Sequence, residues 1–157
     1  MPTTLPLEVR PATAADVPAL AQLFDAYRVF YEADSAPMET AAFVGRLVVE
    51  GRTRFFLARE AQPETNALLG FVHLMPSINT VAMRPIWLLE DLFVAPEARR
   101  QGVAVALMRH AEAFARRTGA ERLTLATAHD NLKAQALYKR LGYLPEEHFW
   151  YFHLSLE

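Results

Sequence analysis

Three groups of residues in this chain have types and spacings suited to chemistry. The first is the turn Arg99-Arg100-Gln101-Gly102-Val103-Ala104, which follows the apolar run Leu92-Phe93-Val94 and leads directly into a long amphipathic pattern. The first turn of a helix carries backbone N–H groups with no intrahelical partner and the positive end of the helix dipole, so this turn predicts an anion cradle. Gly102 has no side chain to block a ligand, and Arg99 or Arg100 either pairs with a phosphate or lies on the surface without that role. The second group is Glu90-Asp91, two carboxylates that interrupt an almost wholly apolar strand pattern from Ile86 to Val94. Strand alternation turns them to opposite faces, so only one can line a given site, and a buried carboxylate has a raised pKa. The third is the block from Asn131 to Gly142, where Asn131 either caps a short helix or contacts a ligand, and where Tyr138, at helical spacing from Leu137 and Leu141, is either a core residue or a phenol able to donate a proton.

Several other chemistries are excluded. There is no Gly-x-x-x-x-Gly-Lys-Ser/Thr and no Gly-x-Gly-x-x-Gly after a first strand, so the P-loop and Rossmann readings fail. Zero cysteines remove disulfides, thiolate metal sites and a thiol nucleophile. His73 and His129 share no metal-ligand spacing with one another or with nearby carboxylates, so no metal is expected. A formal net charge of −2, with arginines spread along the chain, gives no nucleic-acid footprint. No apolar run reaches transmembrane length and the opening residues lack a signal-peptide pattern, so no membrane partner and a cytoplasmic location are expected.

The elements that must position these groups follow from periodicity. With 157 residues, about half of them apolar, the chain is expected to form one domain over residues 1–157. Leu7 to Arg10 reads as a strand, and Thr13-Ala14-Ala15-Asp16 as a capping signature before a helix that ends near Tyr31. Pro37 opens a second helix with Phe43, Leu47 and Val48 inward, and Gly51 closes it. Arg54–Arg59 and Leu68–Met75 read as a hairpin around the turn from Gln62 to Asn66, and Pro76–Arg84 as a loop. After the strand Ile86–Val94 and the helix from Ala104, Leu123–Thr127 is a buried strand, Ala134–Leu141 a short helix, and the aromatic tail Phe149–Leu156 a last strand. That tail is too apolar for an open edge, so it is expected to pack on the sheet or across a homodimer interface. The order predicts an α/β (α+β) layered domain with a mixed sheet and helices on its faces.

The chain resembles the GNAT superfamily of acetyl-CoA-dependent N-acetyltransferases along its whole length. The family's pyrophosphate loop, Gln/Arg-x-x-Gly-x-Gly/Ala, is matched by Arg99, Gly102 and Ala104, with alanine where glycine is commoner. Its Asn-x-x-Ala-x-x-Leu-Tyr-x-x-x-Gly-Phe/Tyr block is matched from Asn131 to Tyr143, and its usual first strand and helix start by Val9-Arg10-Pro11-Ala12-Thr13-Ala14-Ala15-Asp16. The segments Glu90–Val94 and Tyr138–Gly142 are most similar to the polyamine, diamine and histone-type branch.

The resemblance implies a central, mostly antiparallel mixed sheet with helices on both faces and a parallel strand pair that splays apart at the cofactor site. It implies acetyl-CoA as cosubstrate, with Leu92, Phe93, Val94, Arg99, Arg100, Gln101, Gly102, Val103, Ala104 and Asn131 at the coenzyme. Backbone N–H groups at Val94 would form the oxyanion site. An alkylamine of pKa about 10.4 must lose a proton before it can attack, at a cost of roughly 4–5 kcal/mol at pH 7. The resemblance places Glu90 as the base that takes it, with Asp91 as the alternative, and Tyr138 as the acid for the departing thiolate. The first helical region forms the acceptor wall in the family, where Tyr27, Tyr31 and Glu32, with Asp91, are candidate contacts for a cationic amine. Asp34 and Glu39 lie in the same region, which reads equally as a solvated acidic face. His73 and His129 are within possible reach of the site but are expected to be structural. The expected activity is acetyl transfer to a small cationic amine such as a polyamine, diamine or lysine-like amino acid. Transfer to a protein lysine or N-terminus is the alternative, and a non-catalytic acyl-CoA-binding module is a third reading that has no need of Glu90 and Tyr138.

Overall fold

A computed structural model describes residues 6–62 and 67–157. The chain divides into two compact units, residues 1–125 and 126–157. The first holds a five-stranded sheet in the order β1-β2-β3-β4-β5, formed by Leu7–Pro11, Arg54–Glu60, Gly70–Asn79, Arg84–Val94 and Leu123–Leu125. The first four strands run antiparallel to their neighbours and β4 pairs with β5 in parallel. Three helices accompany the sheet: α1 (Val17–Phe30), α2 (Pro37–Glu50) and α3 (Val103–Arg117).

Local signals explain the helix boundaries. The Thr13–Asp16 capping box forms around a single 3-10 turn, and the Asp16 carboxylate also takes two bonds from Arg10, at 2.7 and 2.8 Å. Pro37 sits at the start of α2, where its missing N–H costs nothing, and Gly51 ends the helix in the left-handed conformation. Between α1 and α2 the chain is held by Asp25, which is 8% exposed. Its carboxylate accepts from the Ser35 hydroxyl (2.6 Å), the Ala36 N–H (2.9 Å) and the Thr40 hydroxyl (3.0 Å).

The sheet is covered on both faces. Leu20, Ala21 and Phe24 of α1 and Val44 of α2 pack with Phe55, Leu57, Phe71 and Phe93. On the opposite face Phe114 of α3 lies 5.0 Å from Phe56 and 5.1 Å from Trp87 between ring centroids, and Leu107, Met108 and Ala111 are fully buried. Gly70 allows α3 to settle there, because a Cβ at that position would come 2.7 Å from the Phe93 carbonyl oxygen and 3.2 Å from Leu107 and Val103.

The second unit contains α4 (Leu132–Arg140). The Asn131 side chain caps its start by accepting from the Ala134 N–H at 3.2 Å. Its end is a Schellman closure: Gly142, with φ 94°, donates to the Lys139 carbonyl and Tyr143 to that of Tyr138, both at 3.0 Å.

Some expectations are corrected. Pro76–Arg84 is not a loop, since β3 continues to Asn79 and pairs with β4 along that length. β2 stops pairing at Leu74, and a proline is tolerated where one strand edge has no partner. On α2 Leu47 and Val48 pack against the core as expected, but the fully buried positions are Thr40 and Val44, and Phe43 is exposed. β5 ends at Leu125 instead of Thr127, and the segment Phe149–Leu156 forms no strand. An aromatic, β-prone run becomes a strand only when a ladder partner satisfies its backbone, and the tail has none among the described residues. Of the predicted hairpin turn, residues 63–66 lie outside the described residues.

Asp16 and Asp25 both have carboxyl pKa values held below the ordinary range, Asp16 chiefly by Arg10 and Asp25 chiefly by the Ser35 hydroxyl. A carboxylate favoured in the folded state contributes its stability above its unfolded pKa of about 3.9 and loses it as pH falls further. Urea unfolding is therefore expected to show stability falling below about pH 4, and Asp25→Asn should shrink the difference between pH 7 and pH 3. An unchanged difference would assign the acid sensitivity elsewhere.

Candidate active site

β4 is the centre of the site because its two halves obey different pairings. The first half is bonded on both sides, to β3 and to β5, but the β5 ladder covers only Trp87, Leu88 and Leu89. From Asp91 to Val94 the strand keeps β3 and has no β5 partner, at the place where the resemblance implies a splayed parallel pair. The Ala95 N–H donates to Leu69 on the β3 side at 2.9 Å. Strand alternation therefore turns the N–H groups of Val94 and Leu92 and the Leu92 carbonyl to the edge unpaired with β5, where a ligand can meet them.

A bulge marks the same place. His73 pairs with Asp91 and Leu74 with Leu89, so Glu90 is an extra residue without a partner in β3. This shift reverses the alternation. Trp87 and Leu89 lie on the α3 face, whereas Asp91 and Phe93 face α1, as the Trp87–Phe114 and Tyr27–Phe93 ring contacts show. Glu90 is exposed, so the burial expected for it is absent, and the inward carboxylate is Asp91, whose side chain is 13% exposed.

Asp91 is held on both oxygens. The Tyr27 hydroxyl donates to Oδ1 at 2.6 Å and the His73 Nδ1–H to Oδ2 at 2.7 Å. Burial, and next the bond to Asp91, push the Tyr27 phenol well above its ordinary pKa, so it stays protonated. His73 is 4% exposed and its ring stacks on Phe55 at 4.0 Å, nearly parallel. His73 is thus tied into the carboxylate network, a role that residue type alone did not reveal. The available signal was a polar residue in each of two facing apolar strands, at positions that a bulge brings opposite each other.

Above this network is an aromatic wall. Tyr27 contacts Tyr31 at 5.1 Å and Phe93 at 5.8 Å, and Phe30 lies 6.1 Å from Phe93. Glu32 follows α1 as an exposed residue with φ 65°. Tyr27, Tyr31, Asp91 and Phe93 are therefore brought together, with Glu90 beside them in sequence on the open strand.

The turn into α3 has the predicted shape. A 3-10 turn, Pro96–Ala98, leads to Arg100 and Gly102, both at positive φ (62° and 81°), and no side chain caps α3. The helix's first N–H groups therefore have no side-chain cap among the described residues. A Cβ on Gly102 would meet nothing within 4 Å, so this side of the turn is open. Arg99 turns back instead of outward: its Nε donates to the Val94 carbonyl at 3.2 Å, and its guanidinium covers Phe30 and Phe93 at 5.5 and 5.7 Å. Each such contact is worth about 0.5–1 kcal/mol at an exposed site. The Gln101 side chain bonds the Glu97 carbonyl at 3.1 Å; Arg99 and Arg100 are both exposed, and only Arg99 is turned back onto β4. Tyr138 and Asn131 belong to the second unit, where the Tyr138 ring lies 6.1 Å from that of Tyr143. Among the described residues no group of three or more acidic, histidine or cysteine side chains could hold a metal ion, and no helix is long and apolar enough to cross a membrane.

Comparison with known proteins agrees with this geometry. The family model of the acetyltransferase (GNAT) family matches residues 18–143. The chain is 35% identical to an uncharacterized N-acetyltransferase of Bacillus subtilis, over 96% of this chain and 98% of that protein. It is 28% identical to an aminoglycoside N(6')-acetyltransferase type 1 of Stenotrophomonas maltophilia, over 95% and 94% of the two chains. The crystal structure of a probable acetyltransferase superposes with a TM-score of 0.89 at 34% identity, covering 96% of this chain and 98% of the other. With an opened β4–β5 pair, an uncapped helix start behind it and a family match across nearly the whole chain, this protein belongs to the GNAT family of acetyltransferases.

Proposed function

We propose that this enzyme transfers an acetyl group from acetyl-CoA directly to the primary amine of a small cationic substrate. The carrying observation is Asp91: a carboxylate fixed beneath an aromatic wall, with no lysine or arginine ion pair among the described residues. A negative charge held out of water favours a cation beside it, and aromatic faces reinforce that preference. The Stenotrophomonas relative named above, an aminoglycoside acetyltransferase, also takes an amine-bearing acceptor by its name. A polyamine, diamine or lysine-like amino acid has this chemistry in its smallest form.

The donor end is assigned to the turn into α3. Backbone N–H groups from Arg100 to Ala104 suit a pyrophosphate, Gly102 keeps the approach clear, and Arg100 adds a cation. Because Arg99 is engaged with Val94 and two rings, its contribution is to hold the turn against β4. Leu92 and Val94 present N–H groups from the open strand edge to the thioester oxygen. Asn131 uses its oxygen to cap α4, and its amide nitrogen is assigned to the coenzyme.

Glu90 is the proposed base. Both oxygens of Asp91 already accept bonds from Tyr27 and His73, whereas Glu90 stands free at the bulge where the acceptor must enter. It takes the ammonium proton, the amine nitrogen attacks the thioester carbon, and as the C–S bond breaks Tyr138 supplies a proton to sulfur; the second proton shed by the nitrogen restores the phenol by way of solvent.

A panel of amines assayed for coenzyme A release tests the activity; small cationic amines should be turned over, and binding of acetyl-CoA without release for every amine would overturn the enzymatic reading. Glu90→Gln should move the pH–rate profile upward, because turnover then depends on amine already neutral in solution, a fraction that grows about tenfold per pH unit below the amine pKa. An unaltered profile would remove Glu90 as base. Tyr138→Phe should lower turnover by roughly 10²-fold with acetyl-CoA affinity nearly unchanged, and full activity in this variant would transfer the acid role to another group.

A further inference from the structure

We infer that Tyr27 and His73 are positioning residues which, through Asp91, hold the β4 bulge in the register that turns Glu90 outward to the acceptor. The inference rests on the assignment of Glu90 as base, and it explains how one of two adjacent carboxylates is chosen for that work.

A bulge has no fixed place in a strand unless side chains fix it. If the extra residue were Asp91 instead of Glu90, Glu90 would pair with His73 and face α1, and Asp91 would stand at the open edge. Both registers keep a carboxylate opposite His73, and neither buries an apolar side chain that the other leaves in water. The backbone offers no preference either, since each leaves one residue unpaired in β3. What separates them is the contact made by the inward carboxylate. The Asp91 oxygens meet the Tyr27 hydroxyl at 2.6 Å and His73 Nδ1 at 2.7 Å. The donors come from α1 and β3, so the carboxylate is gripped from two elements at once. The longer glutamate would carry its oxygens past these donors by one methylene.

The state of His73 supports the same view. Its Nε2 is buried and has no hydrogen-bond partner among the described residues, an arrangement that is costly for a polar atom. The ring is nevertheless kept flat against Phe55 at 4.0 Å, with Nδ1 aimed at Asp91. A residue present only to fill that space could be apolar, as its neighbours Phe71, Val72 and Leu74 are. The histidine is accounted for by the bond it donates.

Paired substitutions separate this bond from packing. Asparagine can place a nitrogen donor where Nδ1 stands, and leucine fills similar space without a donor; both lose the stack on Phe55. His73→Leu should lower kcat by about tenfold or more, in line with loss of a single catalytic positioning contact, while His73→Asn recovers to within about threefold of the parent. KM for acetyl-CoA should stay constant in both. Tyr27→Phe, which deletes one oxygen and leaves the ring contacts, should lower kcat in the same way, and combining it with His73→Leu should cost less than the product of the two effects. Equal kcat in His73→Asn and His73→Leu, or unchanged kcat in Tyr27→Phe, would overturn the inference. Asp91→Asn and Glu90→Gln distinguish failure of the underlying assignment: if Asp91→Asn moves the pH–rate profile upward and Glu90→Gln does not, Asp91 is itself the base and the positioning role falls with the assignment of Glu90.

Discussion

The structure depends most on the way β4 changes partners halfway along its length. Up to Leu89 it is an interior strand, bonded on both edges; beyond Leu89 it is bonded on one edge only. An unpaired edge inside a covered sheet leaves N–H and C=O groups out of contact with other backbone, which is expensive unless a ligand or solvent meets them. The bulge at Glu90 sits at this transition and reverses the side-chain alternation, bringing Asp91 and Phe93 under α1 after Trp87 and Leu89 have faced α3. A single strand thereby serves two cores and exposes a row of backbone donors between them.

The remaining elements can be understood as supports for that strand. Gly70 permits the close approach of β3, β4 and α3, with the Phe93 carbonyl within 2.7 Å of where a side chain would begin. Arg99 fastens the turn that follows β4 to the strand's own end through Val94, and to the end of α1 through Phe30. The uncapped turn into α3, the strand edge unpaired with β5 and the aromatic wall are consequently neighbours in space because one short chain segment, residues 90–104, passes through all three. Asp25 performs a comparable task for the connection between α1 and α2, where several neutral donors converge on one carboxylate.

Much of this was readable from residue patterns. The capping box at Thr13–Asp16, the proline and glycine that bound α2, and the apolar periodicity of α3 are local signals, and each produced the expected element within a residue or two. The turn at Arg99–Ala104 was equally readable, since positive φ at a glycine before an amphipathic run needs no distant partner. Errors fell where the outcome depends on pairing. Pro76 and the residues after it read as a loop, yet β3 passes through Pro76 beside β4, and the aromatic tail from Phe149 forms no strand.

The amino-acid sequence by itself determined the family, the glycine turn that opens α3 and the presence of two adjacent carboxylates in the strand before it, because each is encoded in residue identity at fixed short spacing. Only the tertiary structure decided which carboxylate points inward and what holds it. Simple alternation sets Glu90 and Asp91 on opposite faces without saying which face is which, and the bulge that settles the matter is defined by β3, not by β4. His73 and Tyr27 lie 18 and 64 residues from Asp91, so their hydrogen bonds are properties of the folded sheet and of α1 packed upon it, beyond the reach of any local pattern.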